Sequence, residues 1–128
     1  MTLHVRLTQY DLMEDQKAVI AEGNASLEGD CLSYWEDPEQ TVSHRIIFGN
    51  EEIRIERTAD IRSVTRLCFG KKGMTQVFSP YGELRFETEL LDYAYNASYR
   101  SVEYRVFQGM NEVSHQRMVW ELEEIQDE

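Results

Sequence analysis

Three histidines, two cysteines and a surplus of carboxylates are the side chains here that could do chemistry, and their spacing decides what chemistry is open to them. His4, His44 and His115 lie far apart and lack the HxxxH or HExxH spacing that sets two metal ligands on one helical face. Each falls in a run with strand character, where a histidine is solvated or hydrogen-bonded, so no metal site is expected. Cys31 and Cys68 lack the close pairing of a metal knuckle or a CxxC redox motif. Cys68 sits between Leu67 and Phe69, apolar neighbours that do not activate a thiolate for a Cys–His nucleophile. Both cysteines are expected to be reduced, buried, small hydrophobes. Carboxylates are abundant enough for acid–base pairs to arise by chance, and no spacing selects one pair. The segment Gly70-Lys71-Lys72-Gly73 lacks the length and the following Ser/Thr of a phosphate-cradling loop, so it reads as a hairpin turn. No catalytic constellation or cofactor site emerges, and the chain is expected not to be an enzyme.

Arginine is the more informative residue. Ten of the thirteen basic side chains are Arg. Arg45, Arg54, Arg57, Arg62, Arg66, Arg85, Arg105 and Arg117 all lie inside runs with strand character. By alternation Arg57 continues the face of Ile53 and Ile55, which predicts an inward side chain; Arg66 shares a face with Val64 and Cys68, which predicts the same. A buried guanidinium has to be paired, with a protein carboxylate or with an anionic ligand. The plainer alternative is an arginine at a barrel mouth, bonded to Asp, Glu or a backbone carbonyl.

The elements that position these residues are strands. Leu3, Val5 and Leu7 alternate with His4, Arg6 and Thr8; the same period of two recurs through Ile53-Arg54-Ile55-Glu56, Leu84-Arg85-Phe86-Glu87 and Ser101 to Val106. Each is a half-buried strand with one dry and one wet face. Turn chemistry separates the runs at Glu28-Gly29-Asp30, Asp37-Pro38-Glu39, Gly49-Asn50-Glu51, Gly70 to Gly73, Pro80-Tyr81-Gly82, Asn96-Ala97-Ser98 and Gly109-Met110-Asn111. Short, regular connections point to an all-β, antiparallel, up-and-down sandwich or barrel, with a barrel of about 8–10 strands expected, and argue against parallel units, which need long crossovers. Residues 11–22 fit less well. Asp11 and Glu14 could form a capping box, Ala18, Val19 and Ala21 are compatible with helix, and Gly23 could close it. Val113 is out of phase with Met118, Trp120 and Leu122, which a bulge would explain, and residues 121–128, rich in acid, are expected to fray.

The 128 residues suit one domain over 1–128, with no repeat or linker, and 14 aromatic side chains provide large buried area. A formal charge of -11 repels nucleic-acid phosphates and anionic lipid surfaces, and no basic patch offsets it, so neither nucleic acid nor membrane is an expected partner. The start, MTLHVRLTQY, alternates and carries no apolar run of signal-peptide length; together with the cysteine usage this predicts a cytoplasmic protein.

Three segments carry a family resemblance: Leu32-Ser33-Tyr34-Trp35-Glu36 ahead of an acidic loop, Ile53-Arg54-Ile55-Glu56-Arg57, and Gly73 through Gly82 ending in Pro80-Tyr81-Gly82. In this order and spacing the chain resembles the YwiB-like family, a bacterial domain-of-unknown-function family with a calycin-like β-barrel. It departs at Ser79, where a Thr is expected, and at Thr58-Ala59, where a glycine would make a tight turn. The resemblance implies a barrel, favours strand over helix for residues 11–22, and implies no activity.

The expected function is a non-enzymatic barrel binding a small anionic or amphipathic ligand. Arg57, Arg66, Tyr34 and Tyr81 are the candidate ligand-binding residues, with Tyr81 placed to cap a barrel end. The alternative is an acidic protein–protein interaction module or homodimerising structural domain, since edge strands pair with a basic partner or a second copy.

Overall fold

The alternating runs become ten strands in the computed structural model, which describes residues 1–125. They are β1 (Thr2–Asp11), β2 (Gln16–Glu28), β3 (Cys31–Trp35), β4 (Ser43–Phe48), β5 (Glu52–Thr58), β6 (Arg62–Cys68), β7 (Gly73–Ser79), β8 (Gly82–Asn96), β9 (Tyr99–Gln108) and β10 (Asn111–Glu124). Every strand pairs antiparallel with its sequence neighbours, and β1 pairs with β10. The result is a closed up-and-down barrel. Each of the seven turns read from the sequence separates two strands. The turns at residues 12–15 and 59–61 have no Gly or Pro to announce them.

Residues 11–22 are strand and turn. Asp11 does cap: its Oδ1 accepts from the amides of Met13 (3.0 Å) and Glu14 (3.1 Å). Asp15 then takes a left-handed φ of 53°, which Asp tolerates, and the chain reverses into β2 instead of winding on. A cap satisfies amides at a tight turn as well as at a helix start, so the signature alone could not separate the two. The bulge at Val113 is present, as a register shift between Glu112 and Ser114. Glu121 to Glu124 do not fray but pair with β1; residues 126–128 lie outside the described residues.

Inward faces follow from register. Leu3, Val5 and Leu7 of β1, Leu32 and Tyr34 of β3, Ile46 and Phe48 of β4, Ile53 and Ile55 of β5, Leu67 of β6, Val102, Tyr104 and Val106 of β9, and Met118 and Trp120 of β10 form the core. On β6 this settles a misreading. Leu67 and Thr65 are the inward residues, so Val64, Arg66 and Cys68 share the outer face, and Arg66 is exposed between Arg54 and Met74. Val64 is buried there between its cross-strand partners Glu56 and Gln76, which is why an apolar neighbour misled the assignment. Cys68 and Cys31 are free but only half-buried, not core.

Gly73 makes a close strand approach possible. A Cβ there would lie 2.0 Å from the Arg66 carbonyl oxygen, whereas without one the buried Thr88 hydroxyl of β8 reaches past β7 to donate to that oxygen at 2.7 Å.

Residues 89–96 of β8 extend past the β7 pairing at one end of the barrel, and toward the other end closure is incomplete in two places. β3 pairs with β2 only over Ala25–Glu28, leaving residues 16–24 of β2 without a partner on that side. β9 pairs with β8 only from Glu87 onward, leaving residues 82–86 as a second free edge. Both lie toward the end that carries the β1–β2, β3–β4, β5–β6, β7–β8 and β9–β10 turns, called here the open end. No helix of the described residues is long and apolar enough to cross a membrane.

Candidate ligand site at the open end of the barrel

Tyr34, His44 and Arg57 all have inward register, on β3, β4 and β5 in turn, and Glu36 follows β3 directly. Across the lumen Trp120 of β10, fully buried, donates from Nε1 to the Tyr34 hydroxyl at 2.7 Å. Indole only donates, so the Tyr34 proton is directed to His44 Nδ1, 3.3 Å away. His44 must then carry its proton on Nε2, which donates to Glu36 Oε1 at 3.3 Å. Arg57 Nη2 donates to Glu36 Oε2 at 3.0 Å. One continuous relay thus runs from the deep core to the rim, with each buried polar atom used in the sense its chemistry allows.

The electrostatics agree with that proton order. Burial pushes the Tyr34 phenol well above its ordinary range, outweighing the Trp120 hydrogen bond. Burial also lowers the His44 pKa, a stronger influence than the attraction of Glu36 that raises it, while Arg57 adds to the lowering. Tyr34 is therefore a protonated phenol and His44 a neutral imidazole, and their rings stack with centroids 4.9 Å apart.

Above this relay the lumen opens to solvent. By register Val77, Leu84 and Phe86 face inward from β7 and β8, yet Leu84 is 61% exposed. Ile20, Phe86 and Leu90 lie partly buried against the core. The Arg57 side chain is 42% exposed despite its inward position. Leu84 lies on the stretch of β8 that has no β9 partner, and Arg57 at the rim, so solvent reaches both despite their inward register. On the facing wall Gln116 donates to the Tyr104 hydroxyl at 2.7 Å and bonds Gln9, beside a hollow of about 180 Å³ lined by Gln9, Asp11, Gln16, Lys17, Ala18 and Ile20. Two larger hollows, of about 740 and 570 Å³, lie against the outer faces of β9-β10-β1 and β2-β3-β4. In the larger, Arg6 and Arg117 are already paired with Glu22 and Glu103.

The opposite end is shut. Arg100, inward on β9, lies over the rings of Phe48 (4.9 Å) and Tyr95 (4.7 Å) and donates to the Tyr93 hydroxyl at 2.7 Å. Tyr93 stacks in turn with Phe48 and Tyr95. Phe48 meets the Trp120 ring edge-on at 5.6 Å, so Trp120 joins the plug below to the relay above.

Of the four residues singled out from sequence, Tyr34 and Arg57 are brought together, linked through His44 and Glu36. Arg57 is the mouth arginine bonded to a protein carboxylate. Arg66 is on the outer wall. Tyr81 does project from the open end, but its ring is 100% exposed and caps nothing. The residues missed were His44, Glu36, Trp120 and Arg100. A signal existed for the first: His44 alternates with Ile46 and Phe48 and so had to point inward.

No family model matches the chain, and no curated protein matches it. Among solved structures, the crystal structure of ywiB protein from Bacillus subtilis matches with a TM-score of 0.64, covering 98% of this chain and 91% of that one at 17% identity. The barrel implied by the YwiB-like resemblance is thus met at the level of fold, which this chain shares with that Bacillus subtilis protein.

Proposed function

We propose that the open half of the barrel binds one small amphipathic molecule with an anionic head, and that the protein is a binding barrel and not an enzyme. The observation that carries this is Arg57. It spends Nη2 on Glu36, has no other protein hydrogen bond among the described residues, and stands half-exposed in an inward row that continues across the sheet through Ser63 and Val77 to Leu84. Both Glu36 oxygens, the Tyr34 hydroxyl and both His44 nitrogens are occupied, so the unspent polar groups of the relay are the Arg57 donors at the mouth, and donors select an acceptor-bearing head. Binding fits better than catalysis because the relay holds its protons: a raised phenol and a neutral histidine with filled bonds offer neither nucleophile nor free base. The gap beside the unpaired edge of β2 provides a lateral way in. We infer a cytoplasmic setting from the two free cysteines.

Calorimetry with dodecanoate, and with dodecylamine as the opposite charge, tests the reading. Dodecanoate should bind and dodecylamine should not. Arg57→Met should weaken dodecanoate about tenfold or more, the effect of losing a charge-assisted hydrogen bond. Undetectable dodecanoate binding, or equal affinity in Arg57→Met, would overturn it.

A further inference from the structure

The free edge of β8 has features that the ligand reading leaves unused. Residues 82–86 are hydrogen-bonded to β7 but have no partner on the β9 side. Exposed edges in natural proteins are usually blunted. The other free edge, on β2, is: it carries Lys17 and a register shift opposite Leu7 and Thr8. Gly82-Glu83-Leu84-Arg85-Phe86 has no proline, lysine or register shift. Exposed apolar side chains flank it. Tyr81, on the β7–β8 turn, is 100% exposed, and Met110, on the neighbouring β9–β10 turn, is 99% exposed.

We propose that the protein forms a twofold homodimer by antiparallel pairing of this β8 edge with the same edge of a second copy. The sequence is self-complementary in one register. With Leu84 opposite Leu84 of the second copy, Glu83 faces its Arg85 and Arg85 faces its Glu83. Directly opposed residues in an antiparallel pair share a face, so both charge pairs lie on the outer face and the two leucines on the lumen face. A twofold axis through the leucines makes the contact isologous and closed, which ends assembly at two. In the isolated chain Arg85 Nε lies 2.9 Å from Glu83 Oε1 of its own strand, so the dimer exchanges one internal pair per chain for two cross-chain pairs. The ladder is short, and Tyr81 and Met110 supply the apolar area that a stable interface needs beyond it. Charge complementarity selects a second copy over a basic partner, since a wholly basic strand would set Arg85 against a like charge.

Charge reversal separates this from any other mode of association. Sedimentation velocity over a concentration series should show a dimer for the natural chain. Arg85→Glu places Glu against Glu in both pairs, and Glu83→Arg places Arg against Arg, so each should weaken dimerisation at least about tenfold. The double variant Glu83→Arg/Arg85→Glu restores opposite charges and should restore the dimer, while circular dichroism checks that all three variants keep the barrel. A natural chain that stays monomeric, single variants that dimerise undiminished, or a folded double variant that stays monomeric would each overturn the proposal.

Discussion

The two halves of this barrel are built from the same alternating strands but filled in opposite ways. At the closed end an inward arginine, Arg100, is sandwiched by Phe48 and Tyr95 and bonded to Tyr93. At the open end an inward arginine, Arg57, meets one carboxylate and then solvent. The first is a plug, its charge spread over aromatic faces and one hydroxyl. The second is an unfinished pairing. Inward direction alone therefore does not define a binding group; what matters is how many of its donors the protein has already consumed.

Trp120 is where the halves meet, and removing it is the most damaging way to break the contrast. Trp120→Ala would leave a cavity beneath Phe48 and take away the donor to the Tyr34 hydroxyl, at a cost of about 3–5 kcal/mol. Urea unfolding checks this, and a loss below about 2 kcal/mol would mean the two halves are not joined through this ring. Next is Arg100→Ala, which removes two cation–π contacts and the bond to Tyr93; about 2 kcal/mol should be lost. A larger effect of Arg57→Ala than of Arg100→Ala in the same assay would invert the assignment of plug and mouth.

How legible all this was depends on periodicity. The barrel could be read because a period of two cannot be confused with a helical one over six or more residues, and because Gly, Pro and Asn marked seven of the nine turns. Arg57 could be read because Ile53 and Ile55 set its phase. Arg66 was misread since Val64 and Cys68 are apolar, and a strand with apolar residues on both faces has no phase to read; only pairing with β5 and β7 decides it. The relay was hidden for another reason. Trp120 and Tyr34 are 86 residues apart on strands that do not pair, and a bond across a lumen leaves no local pattern.

Acidification probes the relay itself. Burial lowers the folded-state pKa of His44 below the unfolded value of about 6.5. As pH falls, the unfolded chain takes up its proton before the folded one does. Stability is thus intact above about pH 6.5 and declines below it until the folded pKa is passed. Each unit of separation is worth about 1.4 kcal/mol. The carboxyls of Glu103 and Asp37, held low by hydrogen bonds first from His115 and Thr41 respectively, contribute their own loss only further down, below about pH 4. In denaturation profiles between about pH 5 and 7, the natural chain should lose stability relative to His44→Gln as pH falls. Parallel profiles would mean that His44 accepts a proton in place and that the relay does not fix its tautomer.

The smallest stability effect belongs to the residue with the largest proposed role in binding. Arg57 and Glu36 form a half-exposed pair at the rim, and such pairs contribute about 0–1 kcal/mol because water screens the attraction and the side chains lose freedom in making it. Arg57→Ala should accordingly melt within a few degrees of the natural chain, while dodecanoate affinity falls about tenfold or more. The contrast with Arg100 is then complete: one arginine matters for folding and little for ligand, the other for ligand and little for folding. A large loss of stability in Arg57→Ala would show that Glu36 cannot remain beside His44 without a cation. Arg57 would then be a structural member of the relay, with no donors in reserve for a guest.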